Sequence, residues 1–362
     1  MGELECPAAV TEVTHSWIWI ELTREAKVAL GMPVVGGASV KLPRRKFLHL
    51  AAGAVALPAL PRVALALDYP TRPVHWIVGY PAGGGTDISA RLMAQSLSER
   101  LGQPFVVENR AGASSSIATE IVIRARADGY TLLETDAAAA INATLFEHLN
   151  YNFIRDITVI GIVRTPLAML VHPSVPAKTV PEFIAYAKAN PNKINYAGGV
   201  GSILHMAAEM FKTMTDTNMT HVPYRGIAPA LVDLLGGQVS VGFGGIPPTI
   251  EHIQNGRLRA LAVTTTTRSE LLPDIPSMAD FVPGYEASNW FAASLRKTTP
   301  VEIIDKLNKE INASIAEPEM KARIEKLGAT SMPGSPADFD KFITDETEKW
   351  AKVIRAANIK AE

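Results

Sequence analysis

The fold is decided by residues 74–92, which read VHWIVGYPAGGGTDISARL. The run from Val74 to Val78 is apolar and β-branched and predicts a strand, and the glycines from Gly83 to Gly85 predict a tight turn. Beyond the turn, apolar residues recur at helical spacing and predict the buried face of a helix: Ile88, Leu92, Leu97 and Leu101. A strand, a glycine-rich turn and a helix in direct succession form the unit from which α/β folds are built.

Short β-rich runs alternate with helical patterns from Leu67 onward. Residues 105–107 and 131–133 predict further strands. Three helix starts are signalled: the segments 179–182 (TVPE) and 299–302 (TPVE) are typical of capping boxes, and 335–336 (SP) places a serine cap before a proline. The sequence therefore predicts an α/β protein.

Length and composition exclude several classes of protein. The chain has 362 residues, 47 % of them hydrophobic and 20 % charged, which suggests roughly two domains and argues against disorder. A formal net charge of −1 gives no basic excess for a nucleic-acid partner. Cys6 is the only cysteine, so disulfides within the chain and thiolate zinc sites are both excluded.

Residues 41–66 have the three-part layout of an export signal. A basic cluster at 41–46 precedes a mostly apolar run at 48–57, and an A-x-A cleavage pattern follows at 64–66. A run of this length would also suit a buried core helix, but the flanking charges and prolines favour export. Arg44 and Arg45 match the centre of the twin-arginine motif, whereas Pro43 and His49 depart from it, so ordinary Sec export stays an equal alternative.

Residues 1–39 precede this signal, and either a wrongly chosen start codon or an unusually long leader would account for them. Cleavage is expected near Ala66. We therefore expect a mature chain that begins near Leu67, lacks cysteine, is mildly acidic and resides in the periplasm.

The motifs of most enzyme classes are absent from the sequence, including H-E-x-x-H, G-x-S-x-G and G-K-[ST]. Three turns that each lead into a predicted helix are present instead: the first turn (80–87, YPAGGGTD), the second turn (196–202, YAGGVGS) and the third turn (224–226, YRG). Because the first backbone N–H groups of a helix are unpaired and its dipole is positive there, such turns suit carboxylates or phosphates.

Each candidate also has a plain structural interpretation. A glycine-rich turn often does no more than reverse the chain, and Asp87 suits the first turn of a helix in any protein. His205 is more typical of a packed or capping histidine than of a ligand contact. Arg225 could be a surface charge, although its position between Tyr224 and Gly226 also suits the neutralisation of a bound anion.

Seven short segments in one order give the chain a recognisable pattern: 69–73 (YPTRP), 81–87 (PAGGGTD), 107–110 (VENR), 128–133 (DGYTLL), 221–226 (HVPYRG), 261–264 (LAVT) and 272–277 (LPDIPS). From about Tyr69 to Ile359 the chain resembles the extracytoplasmic substrate-binding proteins of tripartite tricarboxylate transporters, the Bug family. The resemblance implies a two-lobed periplasmic binding protein fold of the type II kind, with the ligand cleft between the lobes.

The resemblance also implies the function. The chain is expected to bind a small carboxylate and to deliver it to membrane permease subunits, as a monomer, without catalysis, cofactor or metal. The first lobe is expected at 67–166 and 290–362 and the second at 167–289. Carried over residue by residue, the expected ligand contacts are Tyr80, Ala82, Gly83, Gly84, Thr86, Asp87, Thr135, Asp136, Ala138, Gly198, Gly199, Ser202, His205, Tyr224 and Arg225.

Two departures from the family pattern concern the site. Residues 113–116 (ASSS) stand where relatives often have glycines, and Gly244 and Gly245 stand where many relatives have an acidic or amide residue. The second departure would suit a ligand with a different distal group. Two other functions stay open at this point: a sensor subunit that presents the loaded ligand to a signalling partner, and an exported hydrolase built on Ser202 and His205.

Overall fold

The computed structural model describes residues 8–14, 17–22, 40–43, 68–146, 148–224 and 227–361, in two compact units. The described part of the N-terminal unit, residues 1–66, is an antiparallel sheet of three strands: β1 (Ala8–Thr14), β2 (Trp17–Leu22) and β3 (Val40–Pro43). Residues 44–66 of the predicted export signal lie outside the described residues. The signal and its cleavage therefore stay predictions.

The second unit, residues 67–362, alternates strands and helices. Its strands are β4 (Val74–Val78), β5 (Phe105–Asn109), β6 (Thr131–Asp136), β7 (Ile157–Val171), β8 (Asn195–Gly198), β9 (Thr220–Pro223), β10 (Val241–Gly245), β11 (Arg259–Val263), β12 (Ser288–Arg296) and β13 (Thr330–Met332). Its helices are α1 (Gly85–Leu101), α2 (Ser116–Arg124), α3 (Ala138–Leu145), α4 (Phe153–Asp156), α5 (Val180–Ala189), α6 (Ile203–Thr215), α7 (Ile227–Leu235), α8 (Ile250–Gln254), α9 (Val301–Ala316), α10 (Pro318–Lys326) and α11 (Pro336–Ala356). The predicted α/β class is confirmed.

The long strand β7 organises the two lobes because it changes partners along its length. Its first part pairs with β12 and β13, up to the pairing of Pro166 with Ser288. From Leu167 onward it pairs with β10 and β11 instead. The strand order β5-β4-β6-β12-β7-β10-β8-β9 thus runs from one lobe into the other through β7. The fold is two-lobed, as expected, whereas the boundaries of the lobes stay a prediction.

Apolar side chains fill both faces of the first lobe's sheet. Trp76 and Val78 face α1 and α9 on one side, whereas Ile77 and Leu133 face α2 on the other. This division follows from the alternation of side chains along a strand. The carboxyl ends of β4 and β6 are left at one edge, where the chain turns into α1 and α3. That edge is where α/β proteins with parallel strands bind their ligands.

Helices begin at all three predicted places, but the predicted caps differ. Ser335 and Asp338 form a complete capping box at the start of α11. At the start of α5 the box is half formed, because Thr179 accepts from the Glu182 N–H whereas Glu182 accepts from the Lys178 N–H. The predicted cap at Thr299 was wrong, because α9 begins after Pro300 without a side-chain cap. No helix among the described residues of the chain is long and apolar enough to cross a bilayer.

Candidate ligand-binding site

The first turn presents unpaired N–H groups at the start of α1. Gly84 is the N-cap and has no side chain to bond the helix, and the first intrahelical bond runs from the Ile88 N–H to Gly84 O at 2.9 Å. The N–H groups of Gly85, Thr86 and Asp87 precede that bond and have no intrahelical acceptor. Gly84 and Gly85 are exposed. The turn therefore offers several donors, together with the positive end of a 17-residue helix, to an anion.

The carboxylate of Asp87 holds this turn in shape. It accepts hydrogen bonds from the Gly83 N–H at 2.9 Å, from Arg91 Nε at 2.9 Å and from Asn109 Nδ2 at 2.9 Å. The bond from Arg91, with those from Gly83 and Asn109, lowers the pKa of this buried carboxyl to about 2. Asp87 is thus ionised, and its carboxylate is engaged in holding the turn.

Positive φ occurs at Gly83, where φ is +84°, and not at Gly84, where φ is −77°. Only Gly83 therefore needs glycine for its backbone conformation. A Cβ on Gly84 would have Pro81 O as its nearest neighbour, at 3.6 Å, whereas a Cβ on Gly85 would lie 2.8 Å from Phe291 Cζ. Within the protein there is room for a side chain at Gly84.

Tyr80, Asp136 and Ala138 meet at the carboxyl ends of β4 and β6. The Tyr80 hydroxyl donates to Asp136 Oδ1 at 2.9 Å, and the Ala138 N–H donates to the same oxygen at 3.1 Å. Thr135 differs from these residues, because it is fully buried and its side chain points to the other face of the strand. The structure thus joins Asp136 to the first turn and places the Thr135 hydroxyl away from it.

Hydrogen bonds hold the second turn at its beginning, at Gly198, and at its end, at Ser202. His221 Nε2 donates to Gly198 O at 2.8 Å, and the Tyr224 N–H donates to the same oxygen at 3.1 Å. Ser202 is the N-cap of α6 and accepts from the His205 N–H at 3.3 Å. Gly199 lies against the third turn, since a Cβ there would be 3.1 Å from Tyr224 O. These predicted residues of the second lobe therefore form one group.

His205 supports the second turn from beneath. It is 4 % exposed, it stacks on His221 with ring centroids 3.9 Å apart, and its Nδ1 accepts from the Gly201 N–H at 3.3 Å. Burial, and secondarily His221 and Lys212, lowers the pKa of His205 to about 3, so the ring is neutral. The packed interpretation of His205 agrees with this geometry better than direct ligand contact does.

The other predicted site residues are Ala82, Tyr224 and Arg225. Ala82 is exposed in the first turn, and the hydroxyl of Tyr224 donates to Asp233 at 2.6 Å. Arg225 lies outside the described residues, so its role stays a prediction. Contact between the first and second turns across the cleft also stays a prediction. The second turn lies against α3, where a Cβ on Gly201 would clash with the side chain of Leu145.

Four residues that support the turns were not among the predicted site residues: Arg91, Asn109, His221 and Phe291. Arg91 has a weak signal, because its spacing of four residues from Asp87 suits a helical ion pair. The other three come from separate strands and reach the turns only through the tertiary fold.

The departure at 113–116 has a direct structural counterpart. Ala113, Ser114 and Ser115 have φ values of 46°, 48° and 71°, which is the left-handed region that glycine enters most easily. Asn142 Nδ2 donates to Ser114 O at 2.9 Å and helps hold this conformation. At the second departure, a Cβ on Gly244 would lie 3.2 Å from Leu170 Cδ1, so this position faces packed side chains.

The chain is similar to known proteins over most of its length. Residues 89–359 match the family described as tripartite tricarboxylate transporter family receptor. The chain is 37 % identical to Protein BugT of Bordetella pertussis over 297 residues, which are 81 % of this chain and 91 % of BugT.

Two solved structures are similar over most of their length. An R. palustris protein solved with adipate is 36 % identical, with a TM-score of 0.73, over 81 % of this chain and 99 % of that one. The periplasmic binding protein BugD is 32 % identical, with a TM-score of 0.70, over 81 % of this chain and 100 % of that one.

Proposed function

Because the chain belongs to the tripartite tricarboxylate transporter receptor family, we propose that it captures a small carboxylate in the periplasm and delivers it to the permease subunits of such a transporter. The observation that carries the proposal is the first turn. The N–H groups of Gly85, Thr86 and Asp87 at the start of α1 have no intrahelical acceptor, the backbone of Gly84 and Gly85 is exposed, and Asp87, Arg91 and Asn109 hold the turn in shape. Adipate in a similar protein is a ligand of the same chemical class.

We expect the ligand to be released unchanged. The candidate hydrolase pair lacks the hydrogen bond from a nucleophile to its base, because Ser202 Oγ accepts from the backbone N–H of His205 and does not donate to its ring. The ring nitrogen Nδ1 is engaged by Gly201, and Nε2 lies 3.9 Å from Glu209. Among the described residues, no group of three or more potential ligands could hold a metal ion. The monomeric state stays a prediction.

Anionic acids should bind, and their neutral amides or methyl esters should not. The N–H groups at a helix N-terminus gain charge-assisted hydrogen bonds from a carboxylate that a neutral amide cannot supply. A thermal-shift screen of organic acids would select the probe, since ligand at 100 times its Kd adds about 2.7 kcal/mol of stability. Calorimetry with that acid and its amide then measures the preference, and equal affinities would contradict the proposal.

The mature protein should begin near Leu67. The basic cluster, apolar run and A-x-A pattern at 41–66 support export and cleavage after Ala66, and similarity to a periplasmic binding protein agrees with that destination. N-terminal sequencing of the protein recovered from the periplasm measures the cleavage point. Recovery of a chain that retains residues 41–66 would contradict this proposal.

A further inference from the structure

The carboxylate of Asp136 lies beside the first turn. The Tyr80 hydroxyl, at the beginning of that turn, donates to Asp136 Oδ1 at 2.9 Å. Asp136 also pairs across the sheet with Phe291, whose ring is so close to Gly85 that a Cβ there would lie 2.8 Å from it. Two separate contacts thus place a carboxylate next to the N–H groups that suit a bound anion.

Neighbouring residues that the structure describes donate to only one oxygen of this carboxylate. Oδ1 accepts from the Tyr80 hydroxyl and from the Ala138 N–H. Within residues 68–146, 148–224 and 227–361, no other residue donates a hydrogen bond to Oδ2 and no ion pair reaches it. The side chain is half-buried, so Oδ2 has acceptor capacity that the surrounding protein does not fill.

Among the described residues, Asp136 has no positive partner of the kind that a half-buried carboxylate normally has. Asp87, on the same turn, is paired with Arg91 at 2.9 Å. Burial raises the pKa of Asp136 to about 6, which still leaves it ionised at neutral pH. Among the residues that the structure describes, no lysine, arginine or histidine nitrogen lies within 4 Å of it. A charge in this position favours a cationic group in whatever binds beside it.

We propose that Asp136 selects a ligand that carries a protonated amine next to its carboxylate, which is the chemistry of an α-amino acid. The ligand carboxylate binds the N–H groups of the first turn, and the ammonium donates to Asp136 Oδ2. An ammonium has three donors and no acceptor, so it matches a carboxylate oxygen. The inference rests on the proposed function, because it takes the first turn as the carboxylate site.

Three matched pairs of acids test this inference by calorimetry: L-aspartate with succinate, L-glutamate with glutarate, and L-2-aminoadipate with adipate. In at least one pair, the amino acid should bind the parent protein at least about tenfold more tightly than its deaminated partner, which is about 1.4 kcal/mol. Asp136→Asn removes the charge but keeps an oxygen for Tyr80 and Ala138. The variant should weaken binding of the amino acid alone, which brings the ratio of the Kd values of the amino acid and its deaminated partner close to one.

Asp340→Asn is the matched control. Asp340 lies on α11 and pairs with Lys297 at the surface, so the substitution removes the same charge away from the turn. It should leave the ratio unchanged, and melting without ligand confirms that both variants are folded. A deaminated acid that binds as tightly as its partner in all three pairs overturns the inference and leaves the carboxylate function intact. If Asp136→Asn weakens binding of both members of a pair equally, the inference is also overturned. Asp136 is then a positioning residue for the turn. If none of the six acids binds, the inference fails and the broader acid screen decides the proposed function.

Discussion

Gly84→Val is expected to weaken carboxylate binding by more than about tenfold, or about 1.4 kcal/mol, without lowering the melting temperature of the free protein. Its φ of −77° is accessible to any residue, and a Cβ there meets only Pro81 O, at an ordinary 3.6 Å. The valine methyl groups would stand in front of the N–H groups of Gly85 and Thr86. A carboxylate would then lose charge-assisted hydrogen bonds that are each worth about 1.5–3 kcal/mol.

Gly236→Val is the control for this experiment. Gly236 is also an exposed glycine, with Val232 O as the nearest atom to its Cβ position at 3.4 Å, and it lies at the end of α7. It should bind ligand as the parent does. Calorimetry measures affinity, and small-angle scattering with ligand should show compaction of the parent and of Gly236→Val but not of Gly84→Val. Normal binding and compaction in Gly84→Val would place the carboxylate site elsewhere.

The strand, turn and helix at 74–92 could be predicted because the signal is local. Val74–Val78 needs only its own apolar side chains to indicate a strand, and three glycines indicate the turn whatever surrounds them. The same is true of Ser335, whose side chain caps α11 within the first turn of that helix. Local chemistry of this kind reports the presence of an element.

The buried face of α1 shows where local reasoning fails. Ile88 was predicted to face inward but is 40 % exposed, whereas Ala90, Met93, Ala94 and Leu97 are buried. Small residues allow α1 to approach α9 closely, and Ser96 Oγ lies 2.7 Å from Ser314 Oγ between the two helices. The apolar spacing predicted a helix correctly, but its partner decided which side is covered.

The turn at 113–115 could not be predicted for a different reason. Alanine and serine carry no local signal for the left-handed region, which they enter only at an energetic cost. Here contacts from elsewhere support the conformation: Asn142 bonds Ser114 O, and Ser115 packs against Gly79, where a Cβ would lie 1.9 Å from Ser115 Oγ. Glycine at position 79 is therefore required by a residue far along the chain.

The candidate site also has parts that the local sequence predicts and parts that depend on tertiary contacts. The donors of the first turn were predictable, since they belong to one segment of sequence. The groups that hold it, such as Asn109 on β5, and the ring of Phe291 on β12 that limits Gly85, are brought in by strand pairing. A single sequence could thus indicate a carboxylate site but not the neighbouring Asp136–Tyr80 contact from which the amine preference is inferred.

Glu134→Gln is expected to make the protein more stable at pH 8.5, by roughly 3–5 kcal/mol, while the two proteins differ much less at pH 5. Glu134 is 2 % exposed, and burial raises the pKa of this carboxyl from its ordinary 4.5 to about 8. Its neighbours Ser89 and Trp76 favour the charged form too weakly to offset that burial, and Asp136 opposes it. A cavity of about 20 Å³ beside Glu134 has room for about one water, far fewer than hydrate a carboxylate in bulk solvent.

The direction of the pH dependence follows from proton binding. Between pH 4.5 and about 8 the folded chain keeps a proton on Glu134 that the unfolded chain has lost, so the free energy of unfolding falls as the pH rises through this window. Glutamine has a similar shape and no proton to lose, so the variant lacks this contribution. The raised pKa of Asp136 also makes the free energy of unfolding fall as the pH rises, in both proteins. This contribution cancels when the variant is compared with the parent.

Urea unfolding at several pH values measures both curves, with Glu319→Gln as the control. Glu319 is exposed and pairs only with Arg323 on the surface of α10, so its removal should leave the pH dependence of the parent unchanged. Parallel curves for Glu134→Gln and the parent would mean that Glu134 is charged in the folded protein. An ionised Glu134 two residues from Asp136 would add negative charge beneath the first turn. Carboxylate binding should then strengthen in Glu134→Gln, whereas a neutral Glu134 leaves the affinity of the turn as it is in the parent.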